Sequence, residues 1–521
     1  MRRFLPMLAA ATLHAAPAIV SAVNAASHLP AELPNSGIAR GSLFTIEGLE
    51  LGPSQPAHAE PPLSVSLGGT SVRVASGGAS VDCWLTYAAA GQLTAILPSA
   101  APVGEAKVVV TRDGESSPPF DILVVESAFG IFTRNQAGSG PAVAQNAEGG
   151  ANLPFNALTQ PARPGQTVTL WGTGLGPAAR DEASGPLPGD LASSVEVFVG
   201  GLPAAVSYRG RSNCCAGVDH VSFAIPAGAV GCHVPVAIRS GGSVSNFATI
   251  SIDETGRSCS DPNGASADDL DFLRASGSLA FGLVEATRLS FGAVFADFAE
   301  ALFARGSVDG WTAAPSARSL PPGSCSVRWE RNGSAAADAR VDDGLDAGSS
   351  VSVTVGSNSR PLLARFGAPG LYTADLNRFL EPGPVTVDNA GGGAQVKGFR
   401  VTVNVPAGIQ WTNADAVAVV ARDRELTVTW TGGSAERETA VVYGVVPARG
   451  GITAGFSCAA PVADGRFTVP EWVVSALPPG ASAGVLGVGV ANSSAVRFNA
   501  DGIRFGAAAA SNLSARNATY R

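Results

Sequence analysis

The chain has 521 residues and a formal net charge of −8, with 15% charged residues, 63 glycines and 36 prolines. That length holds three or four domains, each able to bury its own core. A net acidic chain with no basic cluster argues against nucleic acid as a partner, and 45% hydrophobic residues argue against disorder over most of the length.

Residues 1–15 read as a signal peptide. Arg2 and Arg3 form a positive start, Phe4 to Leu13 an apolar run, and Ala15 a small residue at the cleavage point. The run is too short to span a bilayer, and no later run of about 18 apolar residues follows, so no membrane span is expected. Removing two arginines and no acid takes the charge from −8 to −10. The expected location is secreted, extracellular or at the cell surface.

From residue 16 the chain reads as short Val- and Thr-rich strands cut by Gly and Pro. One twelve-residue stretch occurs twice, as Gly41 to Gly52 and as Gly165 to Gly176. Gly41 aligns with Gly165, Gly48 with Gly172 and Gly52 with Gly176, each at an offset of 124 (165 − 41). A constant offset across three glycines marks an internal repeat. In the first copy, strands are expected at 63–67, 70–74, 93–97, 107–111 and 120–125. In the second, 195–199, 218–225 and 234–238 return in the same order. This is the rhythm of immunoglobulin-like sandwiches, with a first unit at 16–127 and a second at 128–253.

After residue 253, the segment 268–274 has a helical pattern, and 277–305 fits either a helix or strands. Alternating or β-branched runs at 351–355, 399–405, 426–430, 439–446 and 484–490 predict a β-rich C-terminal region over 265–508. Residues 470–477 fit one short helix opened by Pro470. The segment 509–521 is polar and is expected to fray. The fold class is therefore all-β: tandem immunoglobulin-like β-sandwiches followed by a β-rich C-terminal region.

Seven cysteines remain after the signal. In an oxidising compartment they read as disulfides. Two bridges are expected among Cys214, Cys215, Cys232 and Cys259, with the pairing open, and a third joins Cys325 to Cys458. Cys83 is the odd one, a buried small apolar residue.

The order of glycine-bracketed strand, strand closing on Gly-Gly, strand ending in Pro and Gly-led Val-rich strand resembles the IPT/TIG family of immunoglobulin-like domains. The opening Val23-Asn24-Ala25-Ala26-Ser27 and the run Cys214-Cys215-Ala216-Gly217-Val218-Asp219 resemble, more narrowly, tandem domain pairs of uncharacterised secreted acidobacterial proteins. The resemblance covers about residues 17–253. It implies a secreted or cell-surface β-sandwich pair and no activity. A looser likeness to C-terminal regions of the same proteins rests on Trp411-Thr412-Asn413, 426–433 and Phe456-Ser457-Cys458.

No catalytic constellation stands out. Gly480-Ala-Ser482-Ala-Gly484 matches a nucleophile elbow by letter, but a strand-like run follows where a helix is required. His220 and His233 lie near cysteines, yet read as ordinary histidines rather than zinc ligands. Asp261, Asp268, Asp269 and Asp271, and Asp338, Asp342, Asp343 and Asp346, lack calcium-loop spacing. No cofactor, metal or catalytic residue is assigned. Trp84, Trp171, Trp311, Trp329 and Trp411 are candidates for stacking sugar rings, while Trp430 and Trp171 also fit core strand positions. The expected function is non-enzymatic adhesion, binding or surface structure, with a protein or glycan partner. The alternatives are a carbohydrate-binding accessory protein and a carboxylate-dependent hydrolase in the C-terminal region.

Overall fold

The computed structural model describes residues 16–149, 152–180, 183–307, 319–332, 334–335 and 343–521. The expected signal, Trp311, Asp338 and Asp342 lie outside them. The described chain is all-β, with two short α-helices.

The first unit is a two-layer sandwich. One sheet runs, in spatial order, through Ala18–Asn24, β1 (Leu43–Leu49), β2 (Gln92–Ile96) and Trp84–Ala89. The other runs through Ile38–Ala39, Phe120–Val125, Gly104–Arg112 and Thr70–Ser76. Alternation decides which side chains face inward. In Thr70–Ser76, Val72 and Val74 are buried while Arg73 between them is exposed. The expected strand at 63–67 contracts to Ser66–Leu67.

The second unit is built on β3 (Ala144–Asn146), β4 (Thr167–Thr173), β5 (Leu202–Arg211) and β6 (Asp219–Ala224). All pair antiparallel, in the order β3–β4–β6–β5. Val168, Leu170, Val221 and Phe223 enter the core against Val197, Val236 and Ile250. The alternate residues of β4 and β6 therefore form an outer face.

The repeated motif has a physical reason. A Cβ on Gly48 would collide with the carbonyl oxygen of Ala18, and one on Gly172 with that of Gly130. In each unit this glycine lets the unit's first strand close on the sheet.

The two units share a buried polar joint. Asn24 Oδ1 accepts from the N–H groups of Ala26 and Ser27, and its Nδ2 donates to the carbonyls of Ala128 (3.1 Å) and Thr173 (3.2 Å). Thr173 Oγ1 accepts from Leu43 N–H at 2.9 Å and donates to Gly217 O at 2.6 Å. Arg211 pairs with Asp219, both fully buried. Arg211 Nη2 also donates to Gly41 O (2.5 Å) and Gly176 O (2.9 Å). Asp219 Oδ2 accepts from Gly174 and Leu175 N–H, both at 2.8 Å. Every polar atom here would be costly unpaired, so this network fixes the orientation of the units.

The C-terminal region opens with α1 (Ala267–Ser276) and a long hairpin of β7 (Ser278–Phe291) and β8 (Asp297–Ser307). Segment 277–305 is thus strand, not helix. Then come β9 (Cys325–Arg331), β10 (Glu438–Pro447), β11 (Ile452–Pro461), α2 (Glu471–Val474), β12 (Gly480–Asn492) and β13 (Phe505–Tyr520). These join one closed network of strands. It holds two large cores, one around Phe303, Val353, Val387 and Val403 and one around Val442, Phe456, Val488 and Tyr520, and a smaller one under α1 around Leu270, Leu273, Phe281 and Phe505.

The expected frayed tail is corrected by β13. It runs parallel to β7 and antiparallel to β12, and serves both cores through Ala508 and Ala510 and through Ala518 and Tyr520. The C-terminal region therefore continues past 508. The strand is paired with β7 along one edge and with β12 along the other, so it does not fray.

The second unit docks on this region through α2. Trp472 stacks on Phe198 at 4.4 Å and on Phe247 at 5.6 Å between ring centroids, and Glu471 pairs with Arg239 at 3.2 Å.

Candidate functional site: an aromatic sheet face

The outer face of β3, β4, β6 and β5 carries a row of rings. Trp171 of β4 is directly opposite His220 of β6 in the strand register, with ring centroids 5.3 Å apart. His220 stacks in turn on Tyr208 of β5 at 4.4 Å. Phe155 bridges Gln145 of β3 and extends the row, 53% exposed. The rings are held in place. Trp171 Nε1 donates to Gln145 Oε1 at 2.9 Å, and Gln145 Nε2 donates to Leu153 O at 3.0 Å. Tyr208 donates its hydroxyl proton to Arg211 O at 2.6 Å. Beside the rings, Thr169 and Ser222 exchange a 2.9 Å hydroxyl–hydroxyl bond.

Burial lowers the pKa of His220, so its ring is neutral at neutral pH. Tyr208 is raised, by burial first and by Asp190 and Asp219 to a lesser degree, against a hydrogen bond from Gly189. Asp190, paired with Gly210 across the edge of the face, is exposed. The face offers aromatic surface, hydroxyls, an amide and one carboxylate.

The candidate tryptophans separate on this basis. Trp430 is core at 2% exposure, and its indole donates to Val462 O. Trp84, Trp329 and Trp411 are half-buried, and Trp411 is tied to Asn413 at 3.0 Å. Trp171 belongs to a multi-ring face. Of its partners, His220 reads in sequence only as an ordinary histidine on an alternating strand, and Tyr208 carries no signal of its own. Their shared strand parity was the available signal.

The cysteines fall into three bridges. Cys214 is joined to Cys215, Cys232 to Cys259 with Cα atoms 5.5 Å apart, and Cys325 to Cys458 with Cα atoms 4.0 Å apart. Cys325 and Cys458 are direct partners in the β9–β11 register. Cys83 is a buried free thiol.

Four of the acidic candidates, Asp261, Asp269, Asp271 and Asp346, make local structural contacts. Asp269 forms a capping box with Ser266 at the start of α1 and also receives Arg497 (2.5 Å) and Arg504 (3.3 Å). Burial pushes its carboxyl up, but the bonds from Ser266 and Arg497 prevail and hold it below the usual range. Asp271 pairs with Arg274, and Asp261 lies 3.7 Å from His233. Asp346 ties down the N–H groups of Gly348 and Ala394. No metal-holding group of three ligands occurs among the described residues. Ser482 lies within β12, so the helix an elbow requires is missing.

Two other places bear on chemistry. Glu285 and Glu300 are directly opposite across the β7–β8 pair, side by side on one sheet face rather than across a cleft. Burial raises Glu300, opposed by Arg365. A groove of about 410 Å³ lies over β9, β11 and β10, lined by Arg328, Tyr443 and Ser457 among others. The Tyr443 ring packs against Gly487, and its buried hydroxyl has no hydrogen-bond partner among the described residues. Trp329 and Phe456 also line this groove, whereas among the described residues no aromatic residue pairs with another across it in the way Trp171, His220 and Tyr208 do.

No protein-family model and no curated protein matches the chain. Among solved structures, it aligns with SGBP-B of the Bacteroides ovatus mixed-linkage glucan utilization locus, in complex with a mixed-linkage heptasaccharide. That alignment has 10% identity, covers 93% of this chain and 98% of that one, and has a TM-score of 0.14. SGBP-B from a complex xyloglucan utilization locus in Bacteroides uniformis aligns at 11% identity, over 94% and 99% of the two chains, with a TM-score of 0.17. A Ca2+-stabilized adhesin that helps an Antarctic bacterium bind ice aligns at 11% identity, over 92% and 94%, with a TM-score of 0.12. At these scores the alignments say nothing about what this chain binds.

Proposed function

We propose that the chain is a secreted or cell-surface, non-enzymatic binding protein. Its tandem units at 16–127 and 128–253 would be IPT/TIG-like sandwiches, and residues 1–15 a signal removed on export. The observation that carries the reading is the row Phe155, Trp171, His220 and Tyr208, presented on one outer face of a scaffold whose units are locked together by buried polar bonds. Rings held on a rigid outer face favour binding, because little side-chain freedom is lost when a partner arrives. Three disulfides suit an oxidising compartment. Glu285 and Glu300 sit side by side on one sheet face rather than facing each other across a cleft, which favours binding over hydrolysis.

The test is retention of the oxidised protein on cell-envelope preparations, with release of reducing sugar measured in parallel. Saturable retention without product release is expected. Product release, or no retention, would overturn the reading.

A further inference from the structure

We propose that the face of β3, β4, β6 and β5 binds a neutral polysaccharide strand, stacking sugar rings on Trp171 and Phe155 and hydrogen-bonding their hydroxyls through Gln145, Thr169, Ser222 and Asp190. The inference rests on the reading of the chain as a binding protein and names its ligand class.

The chemistry of the face selects this ligand. The face of an aromatic ring is electron-rich, and the axial C–H groups of a sugar ring are electron-poor, so the two stack with apolar area buried on both sides. Phe155 is more than half exposed on this face, and Trp171 is half-buried with its indole N–H already spent on Gln145. What Trp171 offers a partner is therefore ring surface. His220 packs against it at a 47° tilt, and Tyr208 stacks on His220 in turn.

The hydroxyls of Thr169 and Ser222 bond each other, and each keeps an acceptor site for a sugar hydroxyl. Charge decides against acidic ligands. His220 is neutral and Asp190 at the rim is a carboxylate, so phosphates and uronates meet repulsion and no countercharge from these groups. The four strands span three intervals, about 14 Å in all. An open sheet of that width suits a chain lying across it rather than one small molecule enclosed.

The test uses the oxidised full chain in native gels that contain, separately, hydroxyethyl cellulose, xylan, glucomannan, dextran or polygalacturonate. Retardation by at least one neutral polymer and not by polygalacturonate is expected. Trp171→Ala should weaken that binding by about tenfold and Phe155→Ala by about threefold. Phe155 is exposed, so its variant keeps the native melting temperature and remains informative if Trp171→Ala fails to fold. Retardation by polygalacturonate alone, by no neutral polymer, or equally in Phe155→Ala and the native chain would overturn the proposal. Envelope retention that persists while every neutral polymer fails would remove the ligand class and leave the binding function standing. Loss of envelope retention as well would remove both.

Discussion

Arg211 donates to the carbonyl oxygen of Gly41 at 2.5 Å, across 170 positions of sequence. Gly41 opens the first copy of the repeated motif, and Gly176, which closes the second, accepts from the same nitrogen. The landmarks Asn24, Gly217 and Asp219 belong to the same joint. The residues that make the pair recognisable in sequence are thus largely those that dock one unit on the other.

Removing the arginine should be severe. Arg211→Met leaves Asp219 buried without its countercharge, which costs about 3–5 kcal/mol. Urea unfolding should show a lower midpoint. The double variant Arg211→Met/Asp219→Leu should recover only a small part of the loss, because it removes the uncompensated charge but leaves the carbonyls of Gly41 and Gly176 and the N–H groups of Gly174 and Leu175 unpaired.

The bridge Cys325–Cys458 closes 133 positions of chain. Its removal as Cys325→Ala/Cys458→Ala should cost about 2–5 kcal/mol, because the unfolded chain regains the freedom of a long loop. Thiol titration of the oxidised protein should find no reactive cysteine in the native state and one, Cys83, after denaturation. A reactive thiol in the native protein would contradict the burial of Cys83.

A chain ending at residue 510 should not fold. It loses the half of β13 that pairs with β12 and carries Ala518 and Tyr520 into a core. Circular dichroism and solubility of the truncated protein check this. A soluble truncated chain with native melting would contradict the role given to β13.

Stability should fall with mild acid. Burial lowers the pKa of His28 against Glu47, and of His220 with no opposing charge. Burial also lowers His233, with Asp261 opposing and Arg328 assisting. Below the ordinary histidine value of about 6.5 the unfolded chain takes up protons that the folded chain refuses. Folding free energy therefore declines as pH drops from about 6.5 toward the lowered folded values. Calorimetric melting should drop between pH 7.5 and 5.5, and His233→Gln should flatten that slope. A melting temperature unchanged over this range would contradict it.

The sequence showed the sandwich pair well because its signals are local. Val72 and Val74 alternate with Arg73, and the glycines of the motif recur at one spacing. It showed the C-terminal region less well because its pairings are distant. β13 reads as a polar tail in any short window, yet its partners Phe281–Phe291 lie more than 200 positions away. The segment 277–305 stayed ambiguous for a related reason. Its phenylalanines fit two periods, and only pairing of β7 with β8 selects the strand. The aromatic face was partly legible. Trp171 was singled out, but its alliance with His220 and Tyr208 depends on register between strands, which composition does not carry.

The most direct test of the account is hydrogen–deuterium exchange of the oxidised protein, alone and saturated with the neutral polysaccharide it retains best. Protection concentrated in 144–146, 167–173, 202–211 and 219–224 is predicted. Protection confined to the groove around Tyr443, or absent throughout, would contradict the claim that the aromatic face is the binding site.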